Sequence, residues 1–470
     1  MNFTTLIHLG IISSALLIGS LLRSRIRLFQ RFLLPASIIG GGLLMLFYNY
    51  VSPVFGLTAD FLGNMVYHLL NLSFIAMMLR TEERKENRIT GRRLGQSIVA
   101  NIFQYGFQAT FGLLATALMI NTFFPDLFPA FGLCLPLGFE LGPGQAYSMT
   151  LPWESMGFRG ATSVGLSMAA IGFLVGSVGG VILINIGIHR GWVSEEAAEK
   201  MRSKGVQTGF LTRDNRKVGS YNVTDGESID SLSYHAALII FTYLLSYLFM
   251  KGLEFILHGI GPLGVMLMDA FWGINFVFSV FMANFVKFIM KKCRLDHTVD
   301  NGTMNRINGL AVDLTVVSSL GAISIAAITS YLVPIMFLTL VGILIVGFAI
   351  PYYTSRIYED NQFKRMLLLY GAATGTLPTG LSLLRVVDPD FETPVASDFV
   401  YASSIMFFLE IPLILCINFP AVGYVNGNPM LFWLLTAFAA FYLIASIIAY
   451  RIIAGKRAFA QKHLFYRTEA

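Results

Sequence analysis

Charge is scarce in this sequence. Asp, Glu, Lys and Arg supply 13% of its 470 residues, where a soluble domain carries about a quarter. A water-covered globular fold of this length is therefore excluded. Cysteine is scarcer still: Cys134, Cys293 and Cys416 stand far apart with no CxxC spacing, which excludes a disulfide framework and a thiolate metal site. No G-x-x-x-x-G-K-[ST] loop occurs, so nothing here cradles ATP phosphates. HExxH, Ser/His/Asp and paired-cysteine constellations are missing as well, and His8, His68, His235, His258 and His297 form no ligand pair at helical spacing. The chain reads as a non-enzyme without a cofactor. Its formal charge of +6 does not point to nucleic acid, because the basic residues flank apolar blocks as topology signals do.

Hydrophobic residues, by contrast, make up 55% of the chain and come in blocks nearly free of charge, such as Ile171–Ile188, Phe241–Met250, Leu332–Ile350 and Leu431–Tyr450. About 20 apolar residues in a helix cross the hydrocarbon layer of a bilayer. Ile7–Leu22 has no basic n-region and no small-x-small cleavage site, so it reads as a first spanning helix and not a secretory signal. These blocks predict an all-α polytopic membrane protein, with the lipid bilayer as its solvent.

Lys and Arg gather on the cytoplasmic side of membrane helices, which allows a topology to be tested. Helices near 5–22, 32–49, 63–79, 97–120 and 161–189, with the N-terminus outside, leave the segment 129–160 to be placed. If it turns back as a re-entrant hairpin, the basic loop 191–232 is cytoplasmic. The second half has helices near 233–250, 262–288, 308–329, 332–352 and 396–418, and a second re-entrant hairpin at 366–386. Together these choices put 31 of the 33 Lys and Arg inside, leaving only Arg159 and Lys251 outside. The predicted architecture is two inverted repeats of about five helices each, 1–190 and 233–420, joined by the cytoplasmic loop 191–232. Residues 421–470 add one transmembrane helix and a cytoplasmic tail. Inverted repeats with one broken segment per half are a common architecture of secondary transporters.

The two hairpins place breakers at membrane depth. The first reads Gly138-Phe-Glu140-Leu-Gly142-Pro143-Gly144-Gln145-Ala146-Tyr-Ser148-Met-Thr150, the second Gly371-Ala-Ala-Thr374-Gly375-Thr376-Leu-Pro378-Thr379-Gly380. Unwound backbone at that depth lines a wet cavity or is buried by protein. Its carbonyls and hydroxyls suit Na⁺, and helix-start N–H groups suit a carboxylate. Ionisable residues at depth are functional suspects. Glu140, Asp313, Ser148 and Gln104 are accordingly the candidates for ion binding or coupling. Asp398 and Glu410, on the helix after the second hairpin, and Arg385 at its close are further charges, with Asp398 and Arg385 read as interfacial. Gln104 and Gln108 share a helix face, where an interhelical hydrogen bond and a substrate contact are equally open. Gly172, Gly176 and Gly180, extended by Gly165 and Ala169, form a small-xxx-small stripe that predicts close helix contact.

On these residues the chain resembles the bacterial sodium/glutamate symporter family. The matching stretches are Pro35-Ala-Ser-Ile-Ile-Gly40-Gly41, the Gly142-Pro143-Gly144-Gln145-Ala146 hairpin, Thr376-Leu-Pro378-Thr379, and the glycine-rich helix from Gly157 to Gly180. The resemblance implies a Na⁺-coupled carrier of acidic amino acids in a bacterial inner membrane. It also implies a homodimer in which a transport domain moves against a fixed scaffold. Substrate would sit at the hairpin tips, on Gly142, Pro143, Gly144 and Gln145 in the first and Thr374, Gly375, Thr376, Thr379 and Gly380 in the second. Glu140 departs from the family, whose glutamate carriers have a His-containing, more glycine-rich run there. A carboxylate at that place repels an acidic substrate unless it is protonated or paired. The leading expectation is Na⁺-coupled symport of an amino acid or other small carboxylate by alternating access. A proton-coupled carrier and an uncoupled channel or facilitator are the alternatives.

Overall fold

The computed structural model describes residues 3–81, 91–193, 208–210, 218–259, 261–388, 393–456, 458 and 464–465. Most of the basic loops at 80–93 and 191–232 and most of the tail after 456 lie outside the described residues. Every long element described is a helix. In chain order they are α1 (Thr4–Arg25), α2 (Ala36–Leu46), α3 (Asp60–Met78), α4 (Gly91–Thr122), α5 (Cys134–Phe139), α6 (Pro143–Ser155), α7 (Ala161–His189), α8 (Ser231–His258), α9 (Pro262–Gly273), α10 (Asn275–Lys292), α11 (Asn301–Gly321), α12 (Leu332–Leu344), α13 (Gln362–Val387), α14 (Val395–Leu415), α15 (Phe419–Val425) and α16 (Met430–Ala454). Among the described residues nine helical stretches are long and apolar enough to cross a membrane. The chain is thus an all-α polytopic membrane protein.

Local chemistry sets the helix ends. The Asp230 carboxylate accepts from the Ser233 amide ahead of α8, and Asp300 accepts from the Thr303 amide at 2.6 Å ahead of α11, each satisfying an orphan donor of the first turn. Glu154 ends α6 and caps the next helix, accepting from the Gly160 and Thr162 amides at 2.8 and 3.0 Å. Two expected helices end early. α11 stops at Gly321 instead of running to 329, because Asn49 donates to the Ile323 carbonyl and accepts from the Ile325 amide, while the Ser163 hydroxyl accepts from Ser324. These side chains take over backbone groups that a continuous helix would use itself. The helix expected at 262–288 is broken at Ile274, where Gly273 lies against the Ser148 carbonyl and Pro152 of α6.

The helices form two bundles. α1, α2, α3, α8, α9, α10 and α11 pack on one another as an outer bundle, and α4, α7, α12, α13, α14 and α16 enclose the segment 129–155 in the other. Burial separates the two kinds of helix. Only 22% of the apolar stretch of α1 or α8 is buried, against 72% for α13, so α13 runs through the interior while α1 and α8 turn most of their surface outward. In lipid no hydrophobic effect draws helices together, and close backbone approach does that work. Gly19 and Gly40 make the α1–α2 crossing, where a methyl on either would overlap the other helix's backbone, and Gly41 packs on Val317 and Leu320 of α11. The Pro35–Gly41 stretch therefore acts as a packing motif of the outer bundle.

Candidate functional site

Two helical hairpins meet tip to tip inside the second bundle. In the first, the chain turns between α5 and α6 at Glu140-Leu141-Gly142, and Gly142 has φ 85° and ψ 179°. Pro143 opens α6 as its first residue, where a missing N–H costs nothing. Phe128 at the start of this hairpin lies 6.3 Å in ring separation from Trp153 at its end, so the two arms run back alongside each other. The Trp153 indole donates to the Asn418 side chain at 2.7 Å. In the second hairpin, α13 is broken at Gly375 and Thr376, the latter at φ 75° and ψ 168°. A methyl on Gly371 would stand 2.6 Å from Gly380 Cα, which places these two glycines across from each other on arms that fold back at the break.

The tips touch: a methyl on Gly142 would overlap Thr376 Cγ2. Glu140, Leu141, Thr376 and Leu377 are half-buried and Pro378 is exposed, so the tips border accessible space. Helix α7 holds both hairpins through its small-residue stripe. Gly165 faces the Ala146 carbonyl, Ala169 faces Gly138, and a methyl on Gly172 would lie 2.5 Å from the Thr374 carbonyl and 3.1 Å from Phe139 Cα. Gly176 faces Thr374 Oγ1 and Gly180 faces Leu383. The stripe is close helix contact, as its spacing predicts.

The structure places the sequence-derived candidates as follows. Gly142 and Thr376 form the tip contact, and Gly375 packs on Phe173. Thr374 is fully buried and donates its hydroxyl to the Tyr370 carbonyl at 2.8 Å, and Thr379 donates to Gly375 at 2.5 Å. Gly144 packs on Leu70 of α3, and Gly380 packs within its own hairpin. Gln145 and Ser148 are buried, the Ser148 hydroxyl without a partner. Gln104 on α4 accepts from Gln108 at 2.8 Å, and Gln108 also donates to the Ala373 carbonyl at 3.0 Å. α4 is thereby tied to the second hairpin one residue before Thr374.

Glu140 lies two residues before the tip, with Gln104 and Glu410 as its interacting neighbours. Asp313 is elsewhere. Its side chain is exposed on α11 of the outer bundle, beside Ser37. Asp398 is buried in an ion pair with Arg365 at 2.8 Å at the base of the second hairpin, and Arg385 is exposed at the far end of α13. Glu410 has no assigned role in the sequence reading, yet the fold brings it to Glu140. Its signal is a lone carboxylate inside the apolar run Phe407-Phe408-Leu409-Glu410-Ile411.

Each tip brings a helix C-terminal end next to a helix N-terminal end. The former presents carbonyls that attract cations, the latter amides that attract anions. Such an arrangement binds a small zwitterion, or an anion together with a cation. Among the described residues no cluster of three His, Cys, Asp or Glu side chains is arranged to hold a metal. No family model, curated protein or solved structure matches the chain.

Proposed function

We propose that this protein is a secondary active transporter that carries a small polar solute between its two hairpin tips by alternating access, coupled to a monovalent cation. The observation that carries the reading is the contact of Gly142 with Thr376, two breaks in otherwise helical segments that meet inside one bundle. Broken helices that join at the midplane are a pointer to a transporter site, because unwound backbone is stable there only around a bound solute or water.

The order of elements supports a two-fold design. Each half contributes three helices to the outer bundle (α1 to α3; α8, the α9–α10 pair and α11). Each then contributes a helix, a hairpin and a helix to the inner one (α4, 129–155 and α7; α12, α13 and α14). Hairpins that are re-entrant from opposite faces of the membrane would meet as these do. In this reading the outer bundle is the scaffold and the inner bundle moves past it along α6, which lies against α3, α9 and α11. The sodium/glutamate symporter resemblance adds Na⁺ as driving ion, an amino acid or small carboxylate as solute, and a homodimer in a bacterial inner membrane.

Differential affinity of the outward and inward states for ion and solute supplies the coupling. The test is uptake into proteoliposomes of the full chain across a panel of amino acids and dicarboxylates, under imposed Na⁺ or pH gradients. Accumulation that follows one gradient supports the carrier. Flux indifferent to both makes the protein a facilitator and overturns it.

A further inference from the structure

Four side-chain atoms near the tips are buried with no hydrogen-bond partner: Gln104 Nε2, Gln108 Oε1, Glu140 Oε2 and Glu410 Oε1. Gln104, Gln108 and Glu410 are themselves 1%, 0% and 5% exposed. They come from α4, the first hairpin and α14, and they form one cluster. Gln104 bonds Gln108, Gln104 and Glu410 act on Glu140, and Tyr105 faces both carboxyl groups. A buried polar atom left unpaired is costly, so a group of them around one point marks a place for an occupant.

Charge says which occupant. From α4 the pair is faced by Gln104 and Tyr105, and Tyr442 of α16 stands by Glu410 with its hydroxyl donated to the Leu409 carbonyl. α7 and the second hairpin approach the first hairpin with Gly172, Phe173 and Thr374. No Lys, Arg or His is among the described groups acting on either carboxyl. Two carboxylates this close cannot both stay ionised in a low-dielectric interior without a cation between them. A Na⁺ ion asks for about six oxygens, but Gln104 turns its N–H₂ toward Glu140 because its own oxygen is taken by Gln108. An amide donor suits a carboxyl and repels a metal ion.

We propose that Glu140 and Glu410 share a single transported proton, so that the pair is the coupling site of the carrier. The proposal rests on the carrier reading for its role in transport, but not for its chemistry. When the proton is bound, one carboxyl donates and the other accepts, and the seam between the first hairpin and α14 is neutral. When it leaves, the seam carries repelling charge beside the tip, which favours a rearranged state.

The test is infrared difference spectroscopy of the purified full chain between acid and alkaline pH, using the carbonyl band of a protonated carboxylic acid. The wild-type protein is expected to lose one such band on alkalinisation. That band is expected to disappear in Glu140→Gln and equally in Glu410→Gln, because coupled groups titrate as one unit. Should a Gln variant fail to fold, Glu140→Asp and Glu410→Asp keep the acid and are each expected to shift the band. Two independent bands, one lost per variant, or a band that ignores all four changes would overturn the shared proton. So would a band displaced by Na⁺ at constant pH, which makes the pair a metal seat. Na⁺-driven uptake with a Na⁺-displaced band leaves the carrier standing without the proton. A shared proton in a protein that accumulates no solute leaves the pair standing without the carrier.

Discussion

Gly142 and Thr376 touch, and they adopt nearly the same backbone conformation, φ 85° and ψ 179° in one and φ 75° and ψ 168° in the other. That region is open to glycine and strained for threonine by about 1–3 kcal/mol. Thr376→Gly is therefore expected to raise stability, while Gly142→Ala lowers it through both its positive φ and its overlap with Thr376 Cγ2. In the double variant the overlap disappears and only the backbone part of alanine's cost remains. Thermal unfolding of the four proteins gives the cycle. Strict additivity would show that the two side chains do not meet.

The α7 stripe gives a graded series. A methyl on Gly172 meets the Thr374 backbone carbonyl, which cannot move aside, whereas Gly42 on α2 has open space. Gly172→Ala is expected to cost about 1–3 kcal/mol by overpacking. Gly42→Ala is expected to be neutral or to stabilise by up to about 1 kcal/mol through helix propensity. Equal shifts in melting temperature for the two would contradict the packing role.

The Arg365–Asp398 pair is buried on both sides, at 2% and 1% exposure, and Arg365 also reaches Asp360 at 3.2 Å. Removing one partner strands the other charge. Asp398→Ala is expected to cost about 3–5 kcal/mol, and Arg365→Met with Asp398→Leu less than that single change. Detergent-solubilised stability of the three variants decides it.

Asp300 sits outside the spanning helices, in the turn before α11. Burial alone raises its carboxyl, but bonds from the Thr303 side chain and amide and from the backbone of Tyr221 and Gly302 outweigh that and hold it below the ordinary carboxylate value. A depressed carboxyl stabilises the fold above its unfolded pKa, and that stability is lost as pH falls through the folded value. Exchange protection of the Tyr221 and Thr303 amides is expected to fall below about pH 4. Asp300→Asn is expected to remove this acid step.

Membrane helices and the two breaks were legible locally. Charge-poor blocks such as Leu332–Ile350 have no stable alternative to spanning lipid, and Gly142-Pro143 and Gly375-Thr376 interrupt helices wherever they occur. The glycine stripe of α7 was legible for the same reason, since its spacing alone puts small residues on one face. The end of α11 was not, because it depends on Asn49 and Ser163 from other helices. The place of Asp313 was equally hidden: a carboxylate in a Thr- and Ser-bearing helix looks the same in sequence whether that helix lines a site or flanks the outer bundle.

By itself, then, the sequence determined which segments enter the bilayer and where they break, because hydropathy and backbone freedom are properties of neighbours along the chain. Tertiary structure alone decided that Gly142 meets Thr376 and that Glu410, far along the chain, comes to Glu140. Those pairings arise from which helix faces approach closely enough to pack, and no local run of residues encodes that.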